Sequence, residues 1–161
     1  MILRIKKYPD QILKEKADRV EEITEEIKAL CQDMIETLGQ AQGVGLAAPQ
    51  VGELKRIIIV GKEAFLNPEI VKKSKETEIN EEGCLCFPGI YLKIKRAKKV
   101  KVEALSLEGK KIQTEAEELS ARIFQHEIDH LNGKLIIDKI PFWQRWKIKK
   151  QLKGQIFSPK I

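Results

Sequence analysis

The sequence predicts an α+β fold. Three observations carry the prediction: an amphipathic stretch near the amino end, apolar or alternating segments through the middle separated by turn residues, and a second amphipathic stretch that follows those segments instead of alternating with them. The first helix is expected from Thr24 to Leu38, because Ile23, Ile27, Leu30, Met34, Ile35 and Leu38 recur at helical spacing, with Cys31 enclosed as a buried, inert thiol. Strands are expected at Arg56 to Val60, Ile90 to Ile94 and Val100 to Leu105. Glu108-Gly109-Lys110 is a turn signal that returns the chain as a hairpin, with Ile112 on its second strand.

A second helix is expected next. Thr114-Glu115-Ala116-Glu117 has the spacing of a capping box, and Leu119, Ile123 and Phe124 then recur at helical intervals until Asn132-Gly133 supplies a stop. Pro141 is placed to open a third helix running through Phe142, Trp143, Arg145, Trp146, Lys147, Lys149, Lys150 and Lys153 to Gly154. At 161 residues with 42% hydrophobic content, the chain is expected to form one domain, 1–161, able to bury about 70% of its unfolded surface. Charges interleave with the apolar residues of Met1 to Lys7, which leaves no secretory segment, and no apolar run spans a bilayer. Three cysteines without framework spacing agree with a reducing, cytoplasmic setting.

The chemistry points to the second helix. Both histidines of the chain fall in Gln125-His126-Glu127-Ile128-Asp129-His130. On a helix, His126 and His130 project from one face and can converge on a single divalent ion, with Glu127 beside them to handle a proton. The plain alternative is chance on a solvated helix. Against it, Leu119, Ile123, His126 and His130 share a face, which puts the histidines on the expected buried stripe, where an unpartnered pair is costly. A catalytic site of this kind takes three protein ligands, so a third is needed. Cys84 and Cys86 lie in Glu82-Gly83-Cys84-Leu85-Cys86-Phe87-Pro88-Gly89, whose glycine and proline suit a tight turn that carries a thiolate toward a site.

These residues resemble the bacterial type of peptide deformylase. Three separated motifs carry the likeness: Gly43-Val44-Gly45-Leu46-Ala47-Ala48-Pro49-Gln50, Glu82-Gly83-Cys84-Leu85 and Gln125-His126-Glu127-Ile128-Asp129-His130-Leu131. Weaker likeness at Tyr8-Pro9-Asp10, Asn67-Pro68-Glu69 and Gly133-Lys134-Leu135 extends it over most of the chain. The resemblance implies antiparallel or mixed β-sheets packed around a central metal-binding helix, with a C-terminal helix. It implies that Cys84, His126 and His130 hold one divalent metal, Fe2+ foremost with Zn2+, Ni2+ or Co2+ able to replace it, and that water activated there attacks the formyl group of N-formylmethionyl nascent peptides. Glu127 is then the acid and base, with the Gln50 amide and the Leu85 N–H donating to the oxyanion.

Gly43 and Gly45 bracket Val44 and are expected to let a substrate strand approach. An apolar pocket for the methionine side chain is expected from Val44, Leu119 and Ile123, with Gly45 beside them as a further substrate-binding residue. The chain departs from the family pattern in places. Cys86 stands where serine is common, as a packing residue or a competing ligand. Arg122 stands where an apolar residue is common, with its stem lining the pocket and its head reaching solvent. The connection from Val60 to Phe65 is short.

Charge is segregated. Lys139 to Ile161 holds seven basic residues and no acidic ones, so with an overall charge of +6 the remainder carries 6 − 7 = −1. The basic helix and tail, 139–161, are either packed on the domain through the tryptophans or a foothold on ribosomal RNA, with no DNA and no membrane as partner. Two rival functions are a zinc endopeptidase of the His-Glu-x-x-His type and an inactive ribosome-binding relative. The cysteine ligand and Gln50 speak against the first, and the retained Glu127 and Gln50 against the second.

Overall fold

The computed structural model describes residues 1–157. The chain builds two antiparallel sheets with a helix between them. Helix α1 spans Glu25–Ala41, capped by the Thr24 hydroxyl, which accepts from the Ile27 N–H. Strands β1 (Gly45–Ala47), β2 (Ile57–Val60), β3 (Glu63–Lys73), β6 (Lys99–Leu105) and β7 (Lys111–Glu117) form a sheet in the order β1-β2-β3-β6-β7, and β4 (Thr77–Cys84) pairs with β5 (Phe87–Ala97) in a separate hairpin. Helix α2 spans Glu118–Leu131 and α3 spans Phe142–Phe157. Residues 158–161 of the expected basic tail lie outside the described residues. No described helix is long and apolar enough to cross a membrane.

The apolar run Ile57-Ile58-Ile59 of β2 is explained by cover on both faces. Ile57 and Ile59 pack with Cys31, Met34 and Leu38 of α1, whereas Ile58 packs with Phe124, Ile128 and Leu131 of α2. The rings of Phe65 and Phe124 meet edge-on at 5.0 Å within the α2 layer. On its far side α2 faces the β4–β5 hairpin. That hairpin packs Ile90, Leu92 and Ile94 against Ile136, Ile137 and Ile140 and against Leu152 of α3.

Several expected features differ in the structure. Both sheets are antiparallel, within what was expected, but strands β1, β3 and β4 were not expected, since none carries a strong signal of its own. Thr114 to Glu117 is not a capping box. It is the end of β7, where Thr114 pairs with Val102 and Ala116 with Val100, so sheet pairing overrides a local helix-start pattern. Glu118 instead takes φ 52 and donates its N–H to the Lys98 carbonyl, which turns the chain into α2. Leu119, expected on the buried stripe, is 63% exposed because the first turn of α2 overhangs the cleft. The helix ends where expected, with Gly133 at φ 70.

Helix α3 begins directly after Pro141, as expected, but not through tryptophan packing. Phe142, Trp143 and Trp146 are exposed, whereas Leu152 and Ile148 face the core. Arg145 secures the first turns by donating to the Ile137 carbonyl at 3.0 Å.

At Gly133 a Cβ would stand 2.3 Å from the Lys14 carbonyl oxygen, on a backbone conformation that L side chains rarely adopt. Gly133→Ala is therefore expected to lower stability by at least about 1–3 kcal/mol, read as a fall in the urea or thermal midpoint.

Candidate metal centre

The site lies where α2, the β4–β5 turn and β1 meet. Cys84 is the last residue of β4 and faces Phe87 across the tight turn, while His126 and His130 occupy successive turns of α2. Cys84 Sγ lies 3.4 Å from His130 Nε2, and His130 Nε2 lies 3.3 Å from His126 Nε2. All three donor atoms fall within 4.8 Å of one another. Nitrogen and sulfur donors on one tetrahedral ion, at bond lengths of about 2.0–2.3 Å, stand roughly 3.3–3.6 Å apart, so this spacing suits a metal. Cys86 is not in the cluster. Its thiol is buried and accepts from Gln50 Nε2 at 3.4 Å, which is the packing role and not that of a competing ligand.

Protonation states favour the same use. The Glu82 carboxylate accepts from His126 Nδ1 at 3.2 Å and so leaves the lone pair of Nε2 facing the cluster. Burial alone raises the pKa of Glu82, but hydrogen bonds from His126 and Arg96 outweigh it and hold the carboxyl down at about 2. For His126 burial opposes protonation, and the Glu82 hydrogen bond with the charges of Glu127 and Glu82 outweighs it, so its pKa lies above the ordinary value. A cation at Nε2 competes with that proton. Burial, then the charges of His126 and Arg96, push His130 well below the usual range, which keeps it neutral as a ligand must be. The Cys84 thiol is held well above its usual range by the Cys86 sulfur and by burial, so a thiolate there calls for a neighbouring cation.

Glu127 is 4% exposed and burial pushes its carboxyl up to about 7. Gln50 is fixed at one end by the Ala47 N–H, which donates to its Oε1 at 2.8 Å. Its amide nitrogen is thereby aimed at Cys84 Sγ, 3.7 Å away, and at Cys86. Leu85 accepts at its carbonyl from Lys7 Nζ at 2.7 Å. A cleft of about 440 Å³ opens in front of these groups, and all four expected substrate-binding residues, Val44, Gly45, Leu119 and Ile123, line it.

Sequence reasoning missed the polar frame behind the cleft. Arg96 donates to Glu82 at 3.1 and 2.8 Å and also to Asp129, and Arg122 donates to Glu82 at 3.3 Å. Arg122 was expected to reach solvent; instead it is buried, and its guanidinium also donates to the carbonyls of Ile94 and Glu78 at 2.9 Å each. A stem long enough to reach water ends here on two strand carbonyls and a carboxylate, which outcompete solvent. A signal for Arg96 did exist: Ile90, Leu92 and Ile94 alternate inward along β5, and Arg96 is the next inward position. Gln125 completes the frame by accepting from the Ala97 N–H at 3.1 Å and donating to the Ala97 carbonyl at 2.9 Å.

The family model for polypeptide deformylase matches residues 2–146. A peptide deformylase of Thermodesulfovibrio yellowstonii is 47% identical over 161 residues, covering 94% of this chain and 97% of its own. Among solved structures, a peptide deformylase of Ehrlichia chaffeensis matches with a TM-score of 0.94 at 32% identity over 100% of both chains. The structure from that organism in complex with actinonin matches with 0.93 at 34% identity, covering 98% of this chain and 99% of its own. The Thermotoga maritima peptide deformylase matches with 0.84 at 44% identity, covering 88% and 99%.

Removing Arg96 takes the two-bond partner from the buried Glu82 charge and leaves it only Arg122 and His126. Arg96→Met is expected to cost about 3–5 kcal/mol of unfolding free energy, measured by urea titration, whereas an exposed pair such as Arg19–Glu69 contributes about 0–1 kcal/mol.

Proposed function

The chain belongs to the polypeptide deformylase family, and from that premise we propose how its residues divide the work. A peptide deformylase is a metal-dependent hydrolase that removes the formyl group from newly made polypeptides as formate. The observation that carries the assignment of roles is the convergence of Cys84 Sγ, His126 Nε2 and His130 Nε2 beside the buried Glu127 carboxylate. In this reading Cys84, His126 and His130 hold one divalent ion, which when bound supplies a Lewis acid and an activated water.

Glu127 takes the proton released as the formyl carbon is attacked and returns it to the departing amine, because an amide anion leaves poorly. Gln50 donates from Nε2 to the developing oxyanion, together with the backbone N–H of Leu85. Ala47 preorganises that donor by holding the other end of the amide. The exposed Val44 and Leu119, with half-buried Ile123, give the cleft an apolar wall for the methionine side chain, and Gly45 contributes backbone on the open edge of β1.

The Cys and two His donors accept iron, zinc, nickel or cobalt, and we assign ferrous iron on the family resemblance. The whole chain, 1–161, acts as one cytoplasmic domain. The endopeptidase and inactive-relative readings have less support, since the family match extends over the chain and each family motif residue of the proposed machinery is present. The α3 face offers ribosomal RNA exposed Trp143 and Trp146 with Lys147 and Lys150 seated over their rings at 5.6 and 5.2 Å.

Anaerobically purified protein is expected to contain iron by elemental analysis and to release formate from formyl-methionyl peptides without digesting casein. Gln50→Ala is expected to lower turnover about a hundred- to a thousand-fold with metal content unchanged, and normal turnover refutes its role. Replacing Lys147, Lys149 and Lys150 by Ala is expected to weaken ribosome binding and flatten its salt dependence; unchanged affinity in a sedimentation assay removes the ribosome contact.

A further inference from the structure

Buried carboxylates are ordinarily located by the hydrogen bonds they accept. Glu127 is an exception, since its Oε2 is buried without a partner among the described residues. It packs against β1. A Cβ built on Gly45 would stand 2.5 Å from Glu127 Oε1 and 2.9 Å from both its Cδ and Cγ, closer than real Cβ atoms come. The strand cannot yield easily, because Gly45 is buried and paired with Val60, followed by Leu46 with Ile59. Gly45 is also not among the residues of positive φ, so an alanine there acts through its added methyl group and not through backbone strain.

These distances give a further reason for glycine in the first motif. The side of Gly45 that a Cβ would occupy is filled by Glu127, and that of Gly43 by Leu38 and Leu85 side chains at 2.7 and 3.2 Å. The leucine methyls beside Gly43 are ends of flexible side chains that can shift, whereas at Gly45 the overlap extends to Cγ and Cδ of Glu127. We propose that Gly45 is a positioning residue for Glu127: the missing Cβ on β1 forms the recess that seats the carboxylate. The inference rests on the reading of Glu127 as the proton carrier, and goes beyond it by naming what holds that carrier in place.

The test is Gly45→Ala in the metal-loaded full chain, alone and combined with Glu127→Ala, with Glu127→Gln as reference. Gly45→Ala is expected to keep its metal and a KM within about two-fold, while kcat falls about a hundred-fold, as displacement of a reacting group by about 1 Å does. It should lower the melting temperature when Glu127 is present and leave it unchanged in the Glu127→Ala background, where the overlap is gone. Should the single variant not fold, the double variant is expected to fold. An unchanged kcat, a loss confined to KM, or the same fall in melting temperature in both backgrounds overturns the proposal. Full turnover by Glu127→Gln instead overturns the proton-carrier reading, and leaves the melting-temperature comparison to decide the packing on its own.

Discussion

The Glu82 carboxylate is the constraint on which the site depends. It is 7% exposed, and an ion buried to that extent is costly unless charges and donors surround it. Arg96 from the neighbouring strand, Arg122 and His126 from the helix all meet it. One group therefore ties β4, β5 and α2 into a single register. Asp129 shares the other side of Arg96, and Gln125 clamps the end of β5 at Ala97. With hairpin and helix locked in this way, Cys84 lies two residues beyond Glu82, at the place where it meets both imidazoles.

This frame also accounts for the division of protonation states across the cleft. Fixing the Nδ1 hydrogen of His126 on Glu82 turns Nε2 toward the cluster, and burial keeps His130 neutral. Cys84 and Glu127, by contrast, are both placed where ionisation is disfavoured. A cation in the proposed position reverses that preference for the thiol, so metal binding and ligand ionisation are coupled there. The Gln50 amide is held by Ala47 at one end and turned toward both sulfurs at the other. It is thereby oriented independently of the two helical ligands.

Away from the cleft, α3 attaches by one set of residues and exposes another. Leu152 and Ile148 attach it to the hairpin layer, which frees the large aromatic residues and most of the lysines for solvent. Among the basic residues of α3, Arg145 takes part in attachment through the Ile137 carbonyl, and Lys147, Lys150 and Lys153 are exposed.

How much could be read in advance follows the range of the interactions involved. The sequence determined α1, the end of α2 at Gly133, the start of α3 after Pro141 and the sharing of one helix face by His126 and His130, because periodicity, turn residues and the i, i+4 spacing are encoded within a few neighbouring positions, whereas the choice of Cys84 over Cys86 came from the family resemblance. Only the tertiary structure decided that Thr114 to Glu117 is strand, since pairing with β6 overrides a local cap. It alone buried Arg122 against Glu82 and set Gly45 against Glu127. Those contacts join residues 40 and 82 positions apart, and no local pattern records a partner that chain folding brings from so far away.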